Sequence, residues 1–180
     1  QTRSPLYLTR EIAVARSVAQ VRGINEQIVE SIGRLSRSVA DTRSLVHLIS
    51  HFNDVLTLRI IGLMEANEGL RLPAGAAYLA LGSEGRGEQT LRTDQDSAIV
   101  YADGLSPEAL AALDRFAARL VDALEEVGVP RCPSNTLASN PEWRHSLSAW
   151  KARLDQWISV PKPESLVNFS MFQDFRTLHG

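Results

Sequence analysis

"LGSEGRGEQTLRTDQDSAIVY", Leu81 to Tyr101, decides how the rest of the chain is read. It opens on a Gly-Ser pair, carries Glu84, Arg86, Glu88 and Arg92, reaches Asp94-Gln95-Asp96, and ends in a β-type apolar run. In extended chain, residues i and i+2 share a face, so Asp94 and Asp96 point one way and Gln95 the other. Two carboxylates placed like that repel each other and raise each other's pKa unless a cation sits between them. Mg²⁺ is the natural cation, because it binds through one or two carboxylates plus substrate phosphates. Two such ions, roughly 4 Å apart, can clamp an in-line phosphoryl displacement. At the other end of the stretch, Gly82 lets backbone amides approach a phosphate closely, and the Ser83 hydroxyl can donate to it. A helix starting just after would add its positive end. Arg86, one turn further on, can neutralise more phosphate charge.

A third carboxylate would complete a two-metal site. Read as a strand, "SLVNFSMFQDFR" (165–176) places Asn168, Ser170, Phe172, Asp174 and Arg176 on one face. Val167, Phe169, Met171, Gln173 and Phe175 take the other, mostly apolar face. Asp174 is then the candidate to bridge a second metal or to deprotonate an acceptor hydroxyl, provided this strand pairs beside Asp94.

Outward from the stretch, "AAYLALG" (76–82) reads as the strand that precedes it. Residues 6 to 69 read as helices, with Ile24, Ile28, Ile32 and Leu35 on one stripe and Leu45, Leu48, Ile49, Phe52, Val55, Leu56 and Ile60 on another. Breaks near Gly23 and near Ala40-Asp41 divide them into three. Downstream, Ser106-Pro107 starts a helix that runs on Leu110, Leu113, Phe116, Leu120 and Leu124. Asn140-Pro141 repeats the device, and the helix expected from it carries Trp143, Trp150 and Trp157 along one packing face. The order of elements is that of an α+β domain over 71–180, preceded by a helical annex over 1–70.

Composition narrows the functional classes. With 44% apolar residues in 180, a sizeable core is available. Lys plus Arg is 19 against 21 for Asp plus Glu, which argues against holding a long nucleic acid by bulk positive charge. The single cysteine, Cys132, allows no internal disulfide and no cysteine-based zinc cluster, which fits a reducing cytoplasm, and it reads as inert. No run approaches the ~18 apolar residues of a membrane span. The chain begins at Gln1 and its last apolar stretch runs nearly to Gly180, so it reads as a piece of a longer multidomain protein.

The motifs carry a resemblance. Gly82-Ser83, ten intervening residues, then Asp94-Gln95-Asp96 resembles the signature of the DNA polymerase beta-like nucleotidyltransferase superfamily. "GSEGRGEQTLRTDQD" is similar to the catalytic site of the bacterial PII uridylyltransferases. "GSEGRGEQT", "TDQD", "SNPEWR" and a terminal "DFR-x-x-HG" together resemble the nucleotidyltransferase domains found in bacterial signalling proteins beside CBS and cyclic-nucleotide-binding domains. The likeness covers nearly the whole chain. It implies a polymerase beta-like fold, a small mixed sheet with flanking helices. It implies Asp94, Asp96 and Asp174 as metal ligands for Mg²⁺ or Mn²⁺, and Gly82 and Ser83 as holders of the triphosphate. The activity implied is transfer of a nucleoside monophosphate from an NTP to a hydroxyl of a protein or small-molecule acceptor. The chain departs from these relatives at Ser97, where they commonly carry Asn, and at His145, where they commonly carry Gly; both bear on base or acceptor preference.

Rival readings stand beside this one. Arg86 divides evenly between phosphate ligand and structural ion pair. Asn140 and Arg144 can reach a triphosphate from the start of their helix. His47 and His51 form an i, i+4 pair with no third ligand in view, and read as helix surface. A haloacid-dehalogenase-type phosphatase also uses D-x-D, but at the C-terminal end of its apolar strand, whereas here the strand follows. A nucleotide-sensing module that binds NTP without transferring it is the main alternative. An interaction domain that forms a homodimer through its helical annex is the third.

Overall fold

The computed structural model describes residues 5–35, 42–82 and 94–180. Three helices open the chain: α1 (Pro5–Val14), α2 (Val18–Leu35) and α3 (Thr42–Leu63), the last continued by a π-helical turn over Met64–Glu68. The turn closes on Gly69, whose left-handed φ of 66° lets its amide donate to the Met64 carbonyl. The first break falls before Ser17, and Gly23 lies inside α2. Two local causes place it there. Ser17 Oγ accepts from the Gln20 amide at 3.2 Å and so caps α2. The guanidinium of Arg59, on α3, donates to the Ala15 carbonyl at 2.7 Å and holds the turn. The other expected break, at Ala40-Asp41, lies outside the described residues.

The rest is a mixed α+β layer. Strands β1 (Ala76–Ala80) and β2 (Ser97–Tyr101) pair antiparallel, followed by helix α4 (Pro107–Glu126), strand β3 (Arg144–Ser146), helices α5 (Leu147–Ser159) and α6 (Pro163–Phe172), and strand β4 (Arg176–His179). The four-stranded sheet has the order β3-β2-β1-β4, with β3 parallel to β2 and the other pairs antiparallel. The fold is the α+β class read from the sequence, a small mixed sheet with flanking helices.

Two expected elements differ from the sequence reading. Residues 165–176 are not one strand: Pro163 at the first turn, with Glu164 beside it, starts helix α6, and only Arg176 onward is extended. On the helix, Phe169 and Phe172 share a face and pack toward Trp150 and Trp157. The resulting strand pairs with β1 rather than beside Asp94. The helix expected from Asn140 is interrupted as well. Pro141–Trp143 is a 3-10 turn capped by Asn140 Oδ1, and residues 144–146 leave it as β3. Helix α5 starts only at Leu147, where Ser146 Oγ accepts from the Ala149 amide and Asp103 accepts from the Ser148 amide and hydroxyl.

Strand alternation divides the interior in two. Tyr78 and Ile99 face a large cluster shared with Leu8, Ile28, Phe52, Leu56 and Ile60 of α1–α3 and with Phe116 and Leu120 of α4. Leu79 and Ala98 face the opposite way, onto Trp143, Trp150, Trp157 and Phe172. Trp150 Nε1 donates to the Ile99 carbonyl at 2.9 Å, so its one polar group is satisfied inside the apolar layer. No helix among the described residues is long and apolar enough to cross a membrane.

Candidate functional site

The register fixes which residues meet at one end of the sheet. β1 ends at Ala80 opposite Ser97 on one side and Arg176 on the other. Gly82 leaves this end, Asp94–Asp96 enter it, and Asp174 lies in the turn from α6 into β4 at the same end. The Leu81 amide donates to the Asp96 carbonyl at 2.9 Å, extending the pairing one residue beyond β1.

Gln95 is the anchor of this end. Its amide donates to the Pro130 carbonyl at 2.8 Å, and Gln95 bridges Arg131 in parallel register. Its buried side chain turns away from the carboxylates, and Nε2 donates to the Val121 carbonyl at 3.1 Å and the Val129 carbonyl at 3.0 Å. With Gln95 locked on one face, alternation aims Asp94 and Asp96 at the other. The loop after α4 is laid along this segment at its far end too: the Ser97 amide donates to Thr136 O, and Ser97 Oγ accepts from the Ala138 amide at 2.9 Å. Ser97, one of the two departures, is thereby fully buried as a clamp on that loop.

The clamped loop delivers a residue that the sequence reading set aside as inert. Cys132 Sγ and one carboxylate oxygen each from Asp94 and Asp96 all lie within 4.8 Å of one another. Burial holds the Asp96 carboxyl above the usual carboxylate range; a hydrogen bond from the Cys132 thiol works against that, and the neighbouring charge of Asp94 adds to it. Ser134 Oγ lies 3.0 Å from the sulfur and 3.2 Å from Thr136 Oγ1, so a chain of hydroxyls backs the thiol. No signal in the sequence marks this contact, because it depends on residues 130–138 folding against β2.

Gly82 also borders Asp96. Its φ is +52°, a conformation that L side chains rarely adopt, and a methyl group there would stand 3.4 Å from Asp96 Oδ2 and 3.8 Å from Met171 Cε. A side chain at position 82 would thus stand in contact with this carboxylate. Ser83 and Arg86, read as phosphate holders, lie outside the described residues, as do Glu84, Glu88 and Arg92.

The remaining candidates are placed as follows. Asp174 is not a member of the Asp94–Asp96–Cys132 group. Arg144 spends its guanidinium on the Ala138 and Ser139 carbonyls, at 2.8 and 2.7 Å, and on Asp114 at 2.7 Å. Asn140 caps the 3-10 turn and donates to the Asn135 carbonyl at 2.9 Å. His145 stands edge-on to Trp150, with Nε2 3.0 Å from Arg153 Nη1. His47 and His51 belong to no group of three or more metal-ligating side chains among the described residues.

The donor set suits a divalent cation. One oxygen from each of two neighbouring carboxylates and a thiol lie within 4.8 Å of one another, one carboxylate is buried, and the residue beside it, Gly82, has no side chain. Sequence comparison adds a family. The model of a protein family described as "Putative nucleotidyltransferase DUF294" matches residues 26–164. No curated protein matches the chain.

Proposed function

The chain belongs to this nucleotidyltransferase family, and from that premise we propose that it is a divalent-cation-dependent enzyme moving a nucleoside monophosphate from an NTP to an acceptor hydroxyl. The observation that carries the reading is the convergence of Asp94 and Asp96 at the sheet end bounded by Gly82. These carboxylates would hold Mg²⁺ or Mn²⁺, which supplies charge neutralisation on the phosphates when bound. Gly82 keeps the space above Asp96 open to the triphosphate, with Ser83 and Arg86 as its proposed donors. The acceptor oxygen attacks the α-phosphorus, the bond to the β-phosphate breaks, and pyrophosphate leaves. Asp174 is the proposed acceptor of the hydroxyl proton. Asn140 and Arg144 are proposed to act from behind, by holding the loop 135–140 that Ser97 clamps, rather than by touching phosphate. Catalysis of this kind is mainly positioning and electrostatic stabilisation.

The acceptor proposed is a protein side chain or small molecule in a cytoplasmic signalling system, by likeness to PII uridylylation, with CBS or cyclic-nucleotide-binding domains as partners. The test is a panel of labelled NTPs with Mg²⁺ or Mn²⁺ and cell lysate, read as pyrophosphate release and a labelled acceptor. Asp94→Ala should abolish both while leaving the circular dichroism spectrum intact. Full activity in that variant would refute the assignment.

One observation favours a second reading. Among the described residues, Asp174 stands outside the three-donor group, and a site in which only two carboxylates act together can bind a nucleotide without turning it over. NTP binding without pyrophosphate release would identify a nucleotide-sensing module.

A further inference from the structure

We infer that Cys132 is the third protein donor of the cation site and that its sulfur moves the site's preference from Mg²⁺ toward thiophilic divalent cations. The inference rests on the cation-dependent reading above and departs from it only in the ion, which that reading took from the two carboxylates alone.

The position of the thiol is built, not incidental. Residue 132 sits on a loop pinned to the Asp94–Ser97 segment on both sides. On one side the Gln95 amide donates to Pro130 and Gln95 bridges Arg131; on the other, Ser97 binds Thr136 and Ala138. Between these pins the sulfur is directed to the carboxylates, within 4.8 Å of both donor oxygens, and is 7% exposed. Its single S–H can donate to one partner at a time. With Asp96 as that partner, the Ser134 hydroxyl at 3.0 Å is left to donate to the sulfur. A hydrogen-bonding group behind a ligand atom is the usual outer support of a metal donor.

Donor chemistry then sets the ion. Carboxylates alone suit Mg²⁺, Ca²⁺ and Mn²⁺, whereas sulfur selects softer ions such as Zn²⁺. Three protein donors with further positions open is also the donor count of catalytic zinc sites. A purely structural cysteine would need only to fill the small apolar pocket it shares with Val121 and Leu137. That role does not require the sulfur to face two carboxylates.

Cobalt(II) is the probe, since sulfur bound to it gives a near-ultraviolet charge-transfer band, and Cys132 is the chain's only cysteine. The protein is titrated with Co²⁺ under a non-thiol reductant, alongside Cys132→Ser, Cys132→Asp and Asp96→Asn. The band is expected in the wild type and lost in Cys132→Ser. Zn²⁺ and Co²⁺ binding should weaken at least about tenfold in that variant, the loss that even an outer partner of a metal ligand typically causes, with Mg²⁺ binding little changed. Cys132→Asp should turn the preference toward Mg²⁺. Co²⁺ binding that Asp96→Asn abolishes, but without the band, overturns the role of the thiol and leaves the cation-dependent reading standing. Absence of any Co²⁺, Mg²⁺ or Mn²⁺ binding overturns both. Should Cys132→Ser fail to fold, the wild-type spectrum decides by itself: band present supports the inference, band absent rejects it.

Discussion

Gln95 Nε2 donates to the carbonyl of Val129 at 3.0 Å, across the face of the strand opposite the two aspartates. Gln95 therefore acts on the site through geometry, without touching it. Gln95→Leu keeps the volume but removes the donor from two carbonyls, Val121 and Val129. We expect a stability loss of about 1–3 kcal/mol, measured by denaturant unfolding. Cation affinity should fall as well, because Asp94 and Asp96 lose their fixed direction. Unchanged affinity would mean that the Pro130 backbone bond holds them unaided.

Gly82→Ala tests the glycine beside Asp96. The left-handed backbone costs an L residue about 1–2 kcal/mol, and the added methyl stands over Asp96 Oδ2 at 3.4 Å. Thermal unfolding should show the strain. Nucleotide affinity should fall further than stability alone explains, measured by titration with a non-hydrolysable NTP analogue.

The limits of the sequence can be followed residue by residue. The D-x-D geometry was legible because a two-residue alternation is a local property, and Gln95 does face away as expected. Helix α4 was legible from Ser106-Pro107 and its apolar stripe, and Ser106 Oγ does accept from the Ala109 amide. Helix α6 was not, since Asn168, Ser170 and Phe172 alternate with apolar neighbours well enough to imitate a strand; Pro163 and Glu164 were the overlooked start signal. Strand β3 is three residues long and is extended only because β2 pairs with it. Cys132 was illegible for the same reason: its neighbours are 36 and 38 residues away in sequence, and only the loop's pairing to Gln95 and Ser97 brings them together.

Asp96 should make the cation-free protein sensitive to pH. Its folded pKa is raised, first by burial. The folded state then favours the protonated carboxyl, so its contribution is fully present below the unfolded value and is lost as pH rises through the folded pKa. Asp96→Asn, which cannot ionise, should be more stable than the wild type at neutral pH in the presence of a chelator. That advantage should vanish in acid, below the unfolded carboxylate value. Added cation should reverse the order at neutral pH. Chemical unfolding at several pH values, with and without cation, checks each part.

His145 titrates in the opposite sense. Burial lowers its pKa, and the charge of Arg153 lowers it further, against the pull of the Glu142 carbonyl and carboxylate. Its contribution is fully present above the unfolded histidine value, about 6.5, and is lost as pH falls through the folded pKa. His145→Gln should flatten the stability profile in that window. An NMR titration of the imidazole should show it still neutral where exposed histidines have become charged.

The two faces of the sheet are optically unequal. All three tryptophans of the chain lie in the layer under α5 and α6, and the layer under α1–α4 has none among its packed residues. Their ring centres are 6.0 to 6.3 Å apart, so the three indoles share one environment. Emission therefore reports the loosening of one layer and is blind to the other until the sheet itself parts. A helical signal that declines while the indole spectrum stays constant would be assigned to α1–α4, with no label attached to the molecule.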